Sequence, residues 1–238
     1  MELLILAAGK SNRIYKEIKK PKCLLEINKK TLIEKIILDA QKVGLNKISV
    51  VLGFKAELIK KKLKGKKVNF IYNKFFKSRD MLYSFILGLK NAKSDVIFSY
   101  SDIFFSKKIL KDLRTKNKAT LPVNMQWKKV WSMRKKKAML DCETLKIRDD
   151  KITEIGKKPK NLREIHAQYM GIGLIPKSLI NKILKFYEKE KKDKKMHITK
   201  FLQLLIEKDN LDLYALRYNS AWYEFDDIED YKNFKLRK

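Results

Sequence analysis

The sequence contains few of the residues that form disulfides or bind zinc. Its 238 residues include two cysteines, Cys23 and Cys142, and two histidines, His166 and His197. The cysteines lie far apart and lack the close spacing of a metal site, which argues against zinc. We therefore expect a reduced, cytoplasmic protein.

Long hydrophobic runs are also missing. No apolar stretch approaches the roughly 20 residues that a membrane-spanning helix needs. The first apolar run is short and has neither a basic lead-in nor a cleavage site, so we expect no signal peptide. Four prolines and eight glycines form no hinge or linker, and 45% hydrophobic residues suffice for a packed core. This length fits one sizeable α/β domain, with or without a small lobe.

Arginine is scarce for a chain with so much positive charge. The formal net charge is +30, from 57 basic and 27 acidic residues, but only eight of the basic residues are arginine. Base readout in DNA favours arginine, and the lysines are scattered along the chain. We interpret them as a solvated coat whose field would attract a small anionic substrate. A non-catalytic nucleic-acid-binding protein is the alternative.

Short apolar runs alternate with helical patterns in the first half of the chain. The helical patterns predict helices that end near Gly44 and Gly65, and a third that contains Leu82 and Leu89. Such alternation predicts a doubly wound sheet with ligands at the carboxyl ends of its strands. The apolar runs are continuous, as in buried parallel strands; they are 2–6, 47–52, 67–72 and 95–101.

The second half has shorter strand-like pieces followed by long helices. We predict one domain over residues 1–238, in which about 120–175 contributes an acceptor-binding lobe on the same sheet. A final helix begins near Asp227. The predicted strands are 119–123, 138–144, 151–155, 169–174, 211–217 and 220–225, and the predicted helices are about 177–191 and 197–207.

The first apolar run, residues 3–8, breaks at Gly9 and leads to Arg13. Small residues let backbone N–H groups approach a ligand closely. The Arg13 guanidinium is a planar cation suited to phosphate oxygens, and Lys22 in Lys20-Pro21-Lys22 adds a second cation. Such a loop predicts a phosphate site, although a tight turn without a ligand is the alternative.

Carboxylates follow two of the predicted strands. Asp102 ends the run 95–101, and Glu224 and Asp226 share one face of an extended segment. Like charges side by side are unfavourable without a cation, and Mg²⁺ prefers carboxylate oxygens. The alternative is that Asp102 caps a helix and that Asp226 or Asp227 caps the last one.

Taken in order, these motifs resemble the signature of the nucleotidyltransferases that make sugar and headgroup nucleotides, of the MobA-like superfamily. Ser11 departs from the pattern, because the family loop usually carries a second glycine there. The motifs are Leu6-Ala7-Ala8-Gly9 with Arg13, Lys20-Pro21-Lys22, Thr31-Leu32-Ile33-Glu34, Val51-Leu52-Gly53-Phe54, Ser101-Asp102 and Trp222-Tyr223-Glu224-Phe225-Asp226. Three further segments look most like the phosphocholine and 2-aminoethylphosphonate cytidylyltransferases: Glu143, Ile155-Gly156-Lys157-Lys158-Pro159 and Gln168-Tyr169-Met170-Gly171.

The resemblance implies a Rossmann-like doubly wound mixed α/β sheet and a role for each motif. Arg13, Lys22 and Asp102 would be catalytic, and Asp102, Glu224 and Asp226 would bind Mg²⁺. The residues implied in nucleotide binding are Leu6, Ala7, Ala8, Gly9, Arg13, Lys22, Ser84 and Ser101, and those implied in acceptor binding are Trp131, Glu143, Gln168 and Tyr169.

The resemblance also implies transfer of CMP from CTP to a small phosphorylated or phosphonate headgroup, with release of pyrophosphate, for decoration of a surface polysaccharide or lipid. We expect a monomer or homodimer without a nucleic-acid or membrane partner. A hexose-1-phosphate nucleotidylyltransferase is the nearest enzymatic alternative.

The acceptor pocket is open to two interpretations. Trp127, Trp131 and Tyr169 could form an aromatic box around an ammonium group, or could simply pack the lobe. The charged side chains that could contact the acceptor's ammonium or a further anionic group are Asp141, Glu143, Lys128, Arg134 and Lys157.

Overall fold

The computed structural model describes residues 1–133, 142–191, 193 and 195–235. Two short 3-10 helices, Lys22–Leu24 and Leu162–Glu164, accompany the regular elements. The helices are α1 (Asn12–Ile18), α2 (Leu32–Lys42), α3 (Ala56–Lys62), α4 (Met81–Asn91), α5 (Lys107–Leu113), α6 (Trp127–Met133), α7 (Lys177–Glu190), α8 (Ile198–Asp209) and α9 (Ile228–Lys235). The strands are β1 (Glu2–Ala7), β2 (Glu26–Ile27), β3 (Lys30–Thr31), β4 (Ile48–Leu52), β5 (Asn69–Tyr72), β6 (Val96–Tyr100), β7 (Ile103–Phe104), β8 (Thr120–Asn124), β9 (Leu145–Arg148), β10 (Lys151–Ile155), β11 (Gln168–Tyr169), β12 (Ile172–Ile175), β13 (Tyr214–Tyr218) and β14 (Tyr223–Glu224).

The main sheet is mixed, with a parallel half and a largely antiparallel half. Its order is β5-β4-β1-β6-β12-β8-β13-β10-β9, and β11 pairs with β8. The four strands β5, β4, β1 and β6 are parallel, and β12 joins β6 in the antiparallel sense. The predicted doubly wound mixed sheet is therefore confirmed. Among the described helices, none is both long and apolar enough to cross a membrane.

Alternation along β1 divides the core into two layers. Leu3 and Ile5 belong to one cluster of buried side chains, and Leu4 and Leu6 belong to another. Because successive strand residues point to opposite sides, these clusters lie on opposite faces of the sheet. We call them the Leu3 face and the Leu4 face. Helices α2, α3, α5 and α6 pack on the Leu3 face, and α4, α7 and α8 pack on the Leu4 face.

Gly171 divides the strand predicted at 169–174. It has φ of +71°, and an added Cβ would lie 2.7 Å from Cδ2 of Tyr100. The chain therefore breaks between β11 and β12, where both the backbone conformation and the space require glycine. Two other predictions differ from the structure: the strand at 211–217 begins only at Tyr214, and that at 220–225 shortens to β14. The strand predicted at 138–144 lies mostly outside the described residues.

The carboxyl ends of β1 and β6 and the C-terminal segment meet at one place. Strand β14 pairs with β7, so that Glu224 lies opposite Ile103, directly after Asp102. The backbone N–H of Phe225 donates to the carbonyl oxygen of Asp102 over 3.0 Å. Trp222 anchors this return, because it is fully buried and its indole N–H donates to the Met170 carbonyl over 2.9 Å.

Gly53 directly follows β4 and lies close to the loop after β1. Substituting it tests how tightly the two segments pack. A Cβ on Gly53 would lie 2.6 Å from Cβ of Phe76 and 2.8 Å from the carbonyl oxygen of Ala8. We expect Gly53→Ala to lower the free energy of unfolding by about 1–3 kcal/mol, because this overpacking displaces backbone. Denaturant unfolding would measure the change. Gly9→Ala is the control, since a Cβ there meets no atom within 4 Å, and an equal loss in both variants would contradict the explanation.

Candidate active site

A cleft of about 410 Å³ opens at the carboxyl ends of β1 and β6. The loop after β1 forms one wall, and the start of α4 forms another. Its lining includes every residue that the sequence predicted for nucleotide binding: Leu6, Ala7, Ala8, Gly9, Arg13, Lys22, Ser84 and Ser101. Asp102 also lines it.

Lys22 lies where the cationic and acidic segments converge. Its Nζ donates to Oδ2 of Asp102 over 3.2 Å and to Oδ1 of Asp226 over 3.1 Å. The Arg13 guanidinium forms an ion pair of 3.5 Å with the same oxygen of Asp226. The Lys22 side chain is 14% exposed, whereas that of Arg13 is 61% exposed. The structure therefore brings four of the predicted residues together.

The surrounding carboxylates keep Lys22 charged. Burial by itself lowers the pKa of Lys22, but Asp102, Asp226 and Glu224 outweigh it and raise the pKa above its ordinary value of 10.5. The stabilisation from this ammonium group is therefore fully present below pH 10.5 and is lost only at higher pH. The neighbouring Cys23 is not a nucleophile near neutral pH, because burial raises the pKa of its thiol.

The acidic residues suit a hard divalent cation in their chemistry. Carboxylate oxygens of Asp102 and Asp226 point at one position, and Glu224 is close enough to raise the pKa of Lys22. Within the described residues, no group of three acidic, histidine or cysteine side chains forms a preassembled metal cluster. The Lys22 ammonium instead lies between the two aspartates, and oxygen donors of this kind fit Mg²⁺.

Ser11 replaces the family's second glycine without losing the glycine-like backbone. It has φ of 55° and ψ of 28°, in the left-handed region. Its Oγ accepts a hydrogen bond of 3.1 Å from the backbone N–H of Lys22. Serine is less favourable than glycine in this conformation, but its hydroxyl ties the phosphate loop to the segment that carries Lys22.

The wall of the cleft at the start of α4 includes residues that the sequence reasoning did not assign. Ser84 is buried in the first turns of α4, and Nδ2 of Asn73 donates to its Oγ over 2.9 Å. Asn73 directly follows a predicted strand, a position that could have marked it. The other unassigned lining residues include Arg79, Asp80, Lys195 and His197.

The aromatic box predicted from sequence is not formed. Trp127 and Trp131 are buried on the Leu3 face, whereas Tyr169 is buried on the Leu4 face. The sheet therefore separates the two tryptophans from Tyr169, and the alternative interpretation, core packing, holds for both tryptophans. Asp141 and Arg134 lie outside the described residues.

Glu143, in contrast, lies close enough to Tyr100 and Tyr169 for its charge to raise the pKa of both phenols. Its Oε1 accepts a hydrogen bond of 3.0 Å from the hydroxyl of Thr199, and burial raises the pKa of Glu143. Burial raises the pKa of Tyr169, and the nearby charges of Glu224 and Glu143 raise it further. Tyr100 and Tyr169 stack edge to face with ring centroids 5.9 Å apart. These groups form a buried polar wall beside Glu224.

The other residues predicted to contact the acceptor differ in whether they already have partners within the chain. The buried amide oxygen Oε1 of Gln168 has no hydrogen-bond donor among the residues that the structure describes. The Lys157 ammonium pairs with Glu207 over 2.8 Å at the surface. That of Lys128 lies 5.8 Å from the ring centroid of Trp127. Gln168 therefore has a buried, unsatisfied acceptor, whereas these two lysines already have local partners.

Comparisons with known proteins identify the family and the fold. The family described as MobA-like NTP transferase domain matches residues 3–197. CTP:phosphoglutamine cytidylyltransferase from Campylobacter jejuni subsp. jejuni serotype O:2 is 32% identical over 97% of both chains. CTP:phosphocholine cytidylyltransferase from Streptococcus pneumoniae has the same fold, with a TM-score of 0.76 and 20% identity over 100% of this chain and 99% of that one. The inositol-1-phosphate CTP transferase from T. maritima gives a TM-score of 0.78 and 18% identity over 98% and 94%. The chain therefore belongs to the MobA-like NTP transferase family.

Proposed function

We propose that this chain is a CTP-dependent cytidylyltransferase that transfers CMP to a small phosphorylated headgroup and releases pyrophosphate. The observation that carries the proposal is the convergence of Lys22, Arg13, Asp102 and Asp226 at one cleft. The Campylobacter relative, named for CTP and phosphoglutamine, supports the choice of nucleotide and a phosphorylated acceptor.

The loop after β1 and its two cations bind the triphosphate. Backbone groups of Ala7, Ala8 and Gly9 line the cleft and contact the nucleotide. Arg13 is exposed at the cleft and holds the β- and γ-phosphates that leave, since its planar fork matches phosphate oxygens. Lys22 is more buried and contacts the α-phosphate and the incoming oxygen.

The reaction needs no general base, because the acceptor's phosphate oxygen is already anionic near neutral pH. That oxygen attacks the α-phosphorus of CTP and forms a new P–O bond, while the bond to the β-phosphate oxygen breaks. Pyrophosphate takes the electron pair and leaves. Two anions must approach each other, so catalysis consists of positioning and of charge neutralisation by Lys22 and Arg13.

Asp102 and Asp226, together with Glu224, hold a divalent cation, which we propose to be Mg²⁺. When bound, the cation neutralises phosphate charge that the two basic residues leave uncompensated. The Lys22 ammonium also donates to both aspartates, which keeps their carboxylates close together at this place.

The wall of Glu143, Tyr100, Tyr169 and Gln168 is where we place the acceptor. Glu143 offers a carboxylate to an ammonium group, and two aromatic rings lie beside it. The amide oxygen of Gln168, which is buried without a donor among the described residues, would accept from an N–H group of the acceptor. These features favour a phosphorylated amine or amide over a hexose phosphate.

A pyrophosphate-release screen tests the proposal directly. Four NTPs would be combined with phosphorylated amines, phosphorylated amides, phosphonates and hexose 1-phosphates, with Mg²⁺ present. We expect release only with CTP and an amine- or amide-bearing acceptor. CTP should also raise the stability of the folded chain by about 2.7 kcal/mol at 100 times its Kd. Release with another NTP and glucose 1-phosphate would favour the hexose alternative, and salt-dependent DNA binding without any release would favour a nucleic-acid-binding protein.

Lys22→Ala tests the role of the central cation. We expect kcat to fall about 10²–10³-fold, because charge neutralisation at the α-phosphate is lost. Steady-state kinetics and a melting curve would separate this effect from unfolding. Lys20→Ala is the matched control, since it removes an exposed lysine two residues away and should keep the parental kcat. A folded Lys22→Ala enzyme with unchanged kcat would end this assignment.

If Glu143 binds the ammonium group of the acceptor, acceptor binding should depend on pH. Only the carboxylate form attracts an ammonium group, and burial raises the pKa of Glu143 above 4.5. As pH falls through that raised pKa, we expect the KM for the amine-bearing acceptor to rise while the KM for CTP stays constant. Glu143→Gln should remove this acid limb, and Glu188→Gln, at an exposed surface pair with Lys90, should retain it. An unchanged limb in Glu143→Gln would place the acceptor elsewhere.

A further inference from the structure

Chemistry fixes the orientation of the Asn73 amide. Asn73 is 1% exposed and follows β5 directly. Its Oδ1 accepts a hydrogen bond of 2.8 Å from the backbone N–H of Phe75. A backbone N–H can only donate, so the oxygen of the amide must lie on that side. The Nδ2 group is therefore the atom that lies 2.9 Å from Oγ of Ser84.

This orientation gives the Ser84 hydroxyl a definite direction. The amide nitrogen is only a donor, so Ser84 Oγ must accept from it, and the single hydroxyl hydrogen stays available for donation. Among the residues that the structure describes, none accepts a hydrogen bond from that hydroxyl. Asn73 and Ser84 both line the cleft at the start of α4. The cleft wall therefore presents a hydrogen-bond donor at Ser84.

We propose that Asn73 is a positioning residue that selects cytosine over uracil by holding Ser84 as a donor. The inference rests on the proposed function and on the nucleotide-binding role that the resemblance implies for Ser84, which lines the cleft. Cytosine carries an acceptor, the unprotonated ring nitrogen N3, where uracil carries an N–H group. As a donor, the Ser84 hydroxyl can form a hydrogen bond with N3 of cytosine. With uracil, the hydroxyl hydrogen would face the N3–H group, and two donors cannot pair. A site that leaves such groups unpaired rejects the wrong ligand.

Asn73→Asp tests the direction of the hydrogen bond. The carboxylate accepts both from the Phe75 N–H and from the Ser84 hydroxyl, so that Ser84 turns a lone pair towards the base. We expect the ratio of kcat/KM for CTP to that for UTP to fall about tenfold, the size of one hydrogen bond. Pyrophosphate release measured at pH 8, where the new carboxylate is ionised, gives both values. Asn69→Asp, an exposed change of the same charge on β5, should keep the parental ratio.

Two further variants separate direction from folding. Asn73→Leu removes the donor without adding a charge, so that Ser84 can either donate or accept. The ratio of kcat/KM for CTP to that for UTP should therefore fall, but CTP should remain the preferred nucleotide. In a Ser84→Ala background, Asn73→Asp should leave the ratio unchanged, because the group that it directs is gone. A folded Asn73→Asp or Asn73→Leu enzyme with the parental ratio would overturn the proposal. So would an equal loss for both nucleotides, which indicates a merely structural role.

The parental enzyme distinguishes this failure from a failure of the proposed function. If the parental chain releases no pyrophosphate from CTP with any phosphorylated acceptor, the proposed function is wrong. If it uses CTP and rejects UTP while the Asn73 variants keep that preference, only the role of Asn73 is wrong.

Discussion

The ammonium group of Lys22, shared between Asp102 and Asp226, is the interaction on which the site depends. It joins the segment after the phosphate loop, the end of β6 and the C-terminal segment. Two carboxylates from such distant parts of the chain repel each other when a cation is missing. Because Lys22 is largely buried, removing its charge would take one ion pair from each carboxylate at low dielectric, and Asp226 would keep only the longer contact with the exposed Arg13 among the ion pairs described above. One charged group therefore holds the acidic residues in position and would, in the function that we propose, also bind phosphate.

Ordinary packing and hydrogen bonding hold that group in place from both directions. On one side, the Ser11 hydroxyl fixes the backbone N–H of Lys22 although its own backbone lies in the left-handed region. On the other side, the β7–β14 pair and the buried Trp222 return the C-terminal segment to Asp102. Each contact alone is modest, about 0.5–1.5 kcal/mol for one hydrogen bond. Together they restrict the reacting groups to one geometry, which is what positional catalysis requires.

The sequence allowed the parallel half of the sheet and its polar strand ends to be predicted, but not the acceptor side. Buried parallel strands are continuous apolar runs, so β1, β4 and β6 and the residues after them follow directly from pattern. Trp131 was predicted beside Tyr169, but the two side chains are buried on opposite faces of the sheet. A sequence pattern can show that a side chain is buried, but not which face of a sheet covers it. Asn73 escaped notice because a single amide carries no periodic signal, and its meaning depends on Ser84 in the next helix.

Charge and selectivity come from different parts of this chain. The net charge of +30 attracts small anions of every kind. Physiological salt screens this attraction beyond about 8 Å. Many surface lysines have local acidic partners, as Lys157 does with Glu207, so the coat cannot distinguish one anion from another. Discrimination needs groups whose hydrogen-bond direction is fixed and shielded from water. In the site that we propose, the buried Asn73–Ser84 pair and the partly buried Glu143 would supply such groups, so that a few residues would outweigh dozens of lysines in choosing the substrate.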